Sequence, residues 1–192
     1  MKRIALFASG AGSNACRIME AFGGSDSIEV ALVACNNPEA GVIAIAESQG
    51  IPVLMLEKAR FFKGDGHLED LLKARIDWIV LAGFLWKLPA GLVEAYRDRI
   101  VNIHPALLPK HGGKGMYGRH VHEAVIRAGD RESGITIHLV DERYDHGQTL
   151  FQAKTPVEQG ETPESLAGKI QKLEHRHYPE VIEKVLSGKL PS

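Results

Sequence analysis

Apolar positions along the chain fall into short unbroken runs separated by stretches of helical spacing. Ile4-Ala5-Leu6-Phe7-Ala8, ended by Ser9-Gly10, predicts a buried strand. Asn14–Phe22 carries Ile18, Met19 and Phe22 on one helical face, with Gly23-Gly24 as a stop. Ile28–Cys35 predicts a second strand, Gly41–Gln49 a helix of small residues, and Pro52–Leu56 a third strand. Leu68–Arg75 reads as a helix. Trp78–Ala82 is an apolar run of the kind buried on both faces, Pro89–Arg97 a helix opened by proline, and Ile100–Ile103 a fifth strand.

Strands alternating with helices of this length predict βαβ units and a parallel sheet, with right-handed crossovers placing helices on both faces. The pattern changes after residue 131. Gly134–Val140 and Thr149–Pro156 flank a polar turn and predict an antiparallel addition; Thr162-Pro163-Glu164 then opens a last helix. Pro179 is expected to kink or break that helix. The fold class is α/β: a Rossmann-like, mostly parallel sheet with helices on both faces and an antiparallel C-terminal addition. In such sheets ligands bind beyond the carboxyl ends of the strands.

Composition narrows the picture without changing it. The 192 residues suit one domain, 1–192, and 44% hydrophobic with 24% charged residues is ordinary for a globular protein. A formal net charge of -1 disfavours a nucleic-acid partner. Cys16 and Cys35 sit in apolar surroundings and suggest no disulfide framework. The N-terminal apolar run is too short for a signal peptide, and no run approaches the ~18 residues of a membrane helix, so no membrane partner and a cytoplasmic location are expected.

Three segments carry candidate chemistry. Ser9-Gly10-Ala11-Gly12-Ser13-Asn14 joins strand to helix, where glycines and a helix N-terminus favour a phosphate. The second strand ends without an acid for a ribose, and no lysine follows the loop. A single phosphate monoester therefore fits better than a dinucleotide, and a plain tight turn remains the alternative. Asn102 and His104 lie two apart at the end of a buried strand and project to one side, about 6–7 Å apart along the backbone. Histidine exchanges protons near neutral pH, and an asparagine amide donates to a developing oxyanion. Asp141, Glu142 and Asp145 crowd one turn. That is ordinary turn chemistry, unless one carboxylate lies near His104 and raises its pKa. His120-x-His122 and His175-x-His177 lack a metal-ligand pattern, so no metal is expected. Gly112–Gly118 reads as a flexible loop, either a lid or a surface turn.

Taken together, Gly10–Asn14, Leu81-Ala82-Gly83-Phe84, Asn102-Ile103-His104-Pro105-Ala106-Leu107-Leu108-Pro109 and Asp141-Glu142-x-x-Asp145-x-Gly147 resemble the folate-dependent formyltransferases. The length and Gln171-x-x-Glu174-His175 resemble the purine-biosynthesis branch, and the resemblance covers nearly the whole chain. It implies transfer of a formyl group from the cosubstrate 10-formyltetrahydrofolate to the amine of glycinamide ribonucleotide, without metal, by a monomer or homodimer. It further implies catalysis by Asn102, His104 and Asp145, and nucleotide binding by Gly12, Ser13, Asn14, Gln171 and Glu174. Folate would be held by Leu85, Trp86, Lys87 and Leu88, by Asn102, and by Val140, Asp141, Glu142, Arg143 and Tyr144. Arg60 falls roughly where some members place a folate-contacting arginine. Ala106 stands where a serine is usual, and Trp86-Lys87 where Met-Arg is more common. A tRNA-directed member would carry a further carboxy-terminal domain and a basic surface. A formyltetrahydrofolate hydrolase-like enzyme and a non-catalytic phosphate-binding module are the alternatives.

Overall fold

The computed structural model describes residues 1–189. The chain divides into two compact units, Met1–Val101 and the residues from Asn102 onward, and the boundary falls inside one strand.

The first unit runs β1 (Lys2–Ala8), α1 (Ser13–Phe22), β2 (Ile28–Cys35), α2 (Gly41–Ser48), β3 (Val53–Met55), α3 (Lys58–Lys63), α4 (Leu68–Lys73), β4 (Trp78–Leu81), α5 (Ala90–Ala95) and the start of β5 (Ile100–His104). Its strand order is β3-β2-β1-β4-β5, and β1 pairs in parallel with both β2 and β4. The apolar run of β1 is central for a physical reason: Ile4 to Ala8 are wholly buried, as a strand covered on both faces requires. Connections run outward from β1 to β2 and β3, then cross back to β4. That reversal makes the β1/β4 edge the topological switch point, the place where sheets of this kind bind ligands. Two backbone-directed bonds tie the loops after the two strands: Ser9 N–H donates to the Gly83 carbonyl at 3.1 Å, and Leu85 N–H to Ser9 Oγ at 2.9 Å.

The second unit begins within β5 and adds α6 (Arg119–Ala128), β6 (Glu132–Leu139), β7 (Thr149–Pro156) and α7 (Pro163–Leu186), with strand order β5-β6-β7. β6 and β7 are antiparallel, as the sequence pattern predicts. Their register shifts once: Ile137 faces Phe151 and His138 faces Thr149, so Leu150 is the extra residue. Thr162 caps α7 by accepting from Ser165 N–H at 3.2 Å.

Two helices, α3 and α6, are absent from the sequence reading. α3 is six residues long with only Phe61 buried. α6 buries Val121, His122 and Val125 amid polar neighbours, so its apolar stripe is too thin to stand out. Pro179 neither ends nor interrupts α7, contrary to expectation. Tyr178, Val181, Ile182 and Leu186 are buried around it, and that packing outweighs the roughly 3 kcal/mol an interior proline costs. No helix among the described residues is long and apolar enough to cross a membrane.

Candidate active site

The polar centre of the second unit grows from two strands whose alternate residues are polar in otherwise apolar stretches. On β5, Val101 and Ile103 are buried as core, while Asn102 and His104 occupy the alternate positions. On β6, Ile135 and Ile137 belong to the core, and Thr136 and His138 alternate with them. Thr136 Oγ1 donates to the Ala106 carbonyl at 2.7 Å and accepts from Leu108 N–H at 3.0 Å, which folds the Pro105–Leu108 turn back onto β6. Ala106 is fully buried beneath this bond, so a small residue suits the site.

His104 is only 3% exposed. Its Nε2 lies 2.8 Å from the His111 carbonyl. A carbonyl only accepts, so Nε2 carries a proton and any proton that comes and goes sits on Nδ1. Nδ1 is 3.7 Å from Asp145 Oδ2, so the carboxylate faces the titrating nitrogen. Asp145 is also held by the Gly113 N–H, which donates to Oδ2 at 2.8 Å, while its Oδ1 lies 3.7 Å from His138 Nε2. Asp145 adopts a left-handed φ of 55°. The turn that presents it closes tightly at Gly147, where a Cβ would overlap the Leu139 carbonyl oxygen.

His138 is a site residue the sequence reading misses. Its Nδ1–H donates to the Leu139 carbonyl at 2.8 Å, which leaves a lone pair on Nε2, and Asn102 Nδ2 donates to that lone pair at 3.1 Å. One amide hydrogen of Asn102 is thereby fixed on His138 and the direction of the other is set. The available signal was the polar alternation of Thr136 and His138 along β6.

The electrostatics correct one expectation. Burial pushes the His104 pKa below the ordinary histidine value, and the opposing pull of Asp145 and the His111 carbonyl does not overcome it. At rest the imidazole is therefore neutral with an open lone pair on Nδ1, rather than a standing imidazolium. Burial also pushes Asp145 upward, but the Gly113 N–H, together with His138 and His104 in their charged forms, outweighs it, and the carboxyl titrates below its usual range. The ionised carboxylate waits beside an uncharged base.

The remaining candidates of the second unit lie around this centre in sequence rather than inside it. Val140, Asp141, Glu142, Arg143 and Tyr144 form the turn after β6, where Asp141 Oδ1 accepts from Arg143 N–H at 2.8 Å. Gln171 and Glu174 lie one turn apart on α7. Gly112 to Gly118 is no free loop at its start, because Gly113 is bonded to Asp145.

In the first unit two predicted segments follow the strands at the switch point. Gly12 caps α1 with φ 80°, and a Cβ there would come within 2.7 Å of Val42 Cβ, so both conformation and space demand glycine. Val42 N–H donates to the Gly10 carbonyl at 3.2 Å, and Ser13 and Asn14 open α1 immediately beyond. The loop after β4 presents Leu85, 55% exposed, while Leu88 is buried. Trp86 packs its ring against Phe61, Phe62 and Phe84. Lys87 is exposed. Arg60 commits its guanidinium to Asp65, in two bonds of 2.9 and 3.1 Å, and to Asp70 at 2.8 Å. These contacts make it a clamp between α3 and the start of α4.

Comparison with known proteins identifies the family of the chain. The formyl transferase family profile matches residues 2–182. The chain is 46% identical over 187 residues to a chloroplastic phosphoribosylglycinamide formyltransferase of Arabidopsis thaliana; the match covers 94% of this chain and 64% of that protein, so the chain spans under two thirds of that relative's length. It is 36% identical to the phosphoribosylglycinamide formyltransferase of Bacillus subtilis, covering 97% of this chain and 95% of that one. The crystal structure of phosphoribosylglycinamide formyltransferase from Bacillus halodurans superposes with a TM-score of 0.87 at 38% identity, over 97% of this chain and 96% of that chain. The chain belongs to the formyl transferase family.

Proposed function

We propose that this protein transfers a formyl group from 10-formyltetrahydrofolate to the primary amine of glycinamide ribonucleotide. The observation that carries the reading is the pairing of His104 Nδ1 with Asp145 at 3.7 Å, beside an Asn102 amide oriented by His138. In this reading the amine attacks the formyl carbon and a C–N bond forms as the carbonyl becomes an oxyanion. The second Asn102 amide hydrogen donates to that oxygen, an interaction typically worth about 10²–10³ in rate. The amine proton passes to His104 Nδ1, and Asp145 stabilises the imidazolium that results. The same proton then leaves with N10 of the folate as the C–N bond to the cofactor breaks, so no net proton is consumed.

The other roles follow from the chemistry of each segment. Gly12, Ser13 and Asn14 take the nucleotide phosphate at the α1 N-terminus, and Gln171 and Glu174 contact the ribonucleotide. Leu85–Leu88 and Val140–Tyr144 hold the folate pterin, with Leu85 offering apolar surface. The two compact units act as one formyltransferase domain, since β5 is divided between them. The protein works as a monomer or homodimer in the cytoplasm, where Cys16 and Cys35 stay as the free thiols seen here.

The test is direct. Purified protein is mixed with glycinamide ribonucleotide and 10-formyltetrahydrofolate, and tetrahydrofolate release is followed. Release that depends on the ribonucleotide supports transfer. Equal release without it identifies a hydrolase, and ribonucleotide binding with no release and no response to folate analogues identifies a phosphate-binding module.

A further inference from the structure

His104 and Asp145 are both held by one short backbone segment. The His111 carbonyl accepts from His104 Nε2 at 2.8 Å, and two residues later the Gly113 N–H donates to Asp145 Oδ2 at 2.8 Å. Between them Gly112 leaves no room for a side chain: a Cβ would come within 2.5 Å of Leu108 Cδ2 and 3.3 Å of Asp145 Cβ. The segment is therefore pressed onto the acid–base pair and spans it.

What fixes the segment lies outside the pair. His111 has φ 54°, a left-handed conformation that residues other than glycine seldom adopt without outside support. The support visible here is its own side chain. His111 Nε2 lies 2.7 Å from Asp130 Oδ2, and Lys110 Nζ lies 2.9 Å from Asp130 Oδ1. Asp130 directly follows Gly129, the left-handed C-cap of α6, so it stands on the end of a regular element rather than on a loose turn. The hydrogen bonds from His111 and Lys110 hold the Asp130 carboxyl below its usual range against the opposing effect of burial.

We infer that His111 and Asp130 are positioning residues for the acid–base pair: the imidazole–carboxylate contact anchors the 111–113 segment, whose two peptide groups then lock the His104 tautomer and set its spacing from Asp145. Neither touches substrate. With the anchor in place, the His104 proton on Nε2 is permanent and Nδ1 is the only working nitrogen. Without it the carbonyl drifts, both neutral tautomers are populated, and part of the enzyme presents the wrong nitrogen to Asp145.

This inference rests on the formyl-transfer reading for its rate measurement alone; the tautomer is readable whatever the reaction. Two-bond ¹⁵N–¹H spectra of uniformly ¹⁵N-labelled protein report it, with His104 assigned by the loss of its signals in a His104→Gln sample. In the parent protein, above the His104 pKa, Nε2 carries the proton. In Asp130→Ala and His111→Ala both tautomers appear. In the transfer assay kcat falls about 10- to 100-fold, as a shift near 1 Å at a reacting group produces, while KM for both substrates stays within about threefold. His111→Gln, whose amide still reaches Asp130 as a donor, recovers part of the loss. Lys110→Gln, which removes only the other contact of Asp130, keeps kcat and tautomer near the parent. Thermal melts accompany each variant, and if His111→Ala does not fold, Asp130→Asn decides in its place. A single Nε2–H tautomer with unchanged kcat in the Asp130 variants overturns the inference. Absence of formyl transfer by the parent protein overturns the functional reading, and the spectra still judge the anchor.

Discussion

The two units build their candidate chemistry from different parts of the chain. In the first, the backbone does it: a left-handed glycine, a helix N-terminus and peptide groups at the β1/β4 switch point. In the second, side chains do it: His104, Asn102, His138 and Asp145, brought together from β5, β6 and the turn before β7. A backbone site tolerates side-chain change as long as the path of the chain survives. A side-chain site tolerates almost none, because each group is oriented by the next. Damage to the first should therefore appear as weakened folding or binding, and damage to the second as lost turnover in a folded protein.

The sharpest way to break that contrast is at His104. His104→Ala removes the base, and kcat should fall by about 10²–10⁴ with the melting curve little changed; steady-state formyl transfer measures it. A fall in KM-related binding with kcat intact would place His104 elsewhere. Asn102→Ala comes next, with a loss of about 10²–10³ in kcat, and His138→Ala should reproduce part of it, because the amide then loses the partner that aims it. A smaller effect is expected in the first unit. Gly12→Ala should destabilise by about 1–3 kcal/mol in urea unfolding, from left-handed strain and the Val42 contact, whereas Gly10→Ala, with nothing within 4 Å of the added carbon, should change little.

The smallest effect is a pH dependence of stability with two separate windows. Burial lowers the pKa of both His104 and His122, and His104 adds to the lowering at His122. The folded state then binds these protons less readily than the unfolded state. Stability is full above the ordinary histidine value of about 6.5 and declines as pH falls below it toward the lowered values. Asp145 is depressed, so its contribution holds above about 3.8 and is lost only as pH falls through its lower folded value. Urea midpoints across this range should show the histidine decline first, and His122→Gln should flatten it. A midpoint that rises on acidification would contradict the burial argument.

Much of this was legible in the amino-acid order. Ile28–Cys35 and Thr149–Pro156 match their strands end to end, because long β-branched or alternating runs have one stable use. The shared side of Asn102 and His104 follows from strand alternation alone. The Asp145 contact does not: it needs a tight turn at Gly147 and a register shift at His138 that no local pattern announces. The sign of the His104 shift was missed for a related reason. A nearby carboxylate is visible in a sequence, but the depth of burial that opposes it is a property of the assembled core. His111 and Asp130 are nineteen positions apart, and nothing in their neighbourhoods marks them as partners.

The extra residue at Leu150 has a consequence for anyone transplanting or redesigning this hairpin. A bulge bends its strand and adds local twist, and this one sits opposite the step from Ile137 to His138, at the end of β6 that carries the site. A designer who copied every polar residue but trimmed that single insertion would keep the whole reactive inventory and every pairing partner, yet lose the bend that the insertion puts into β7 opposite His138.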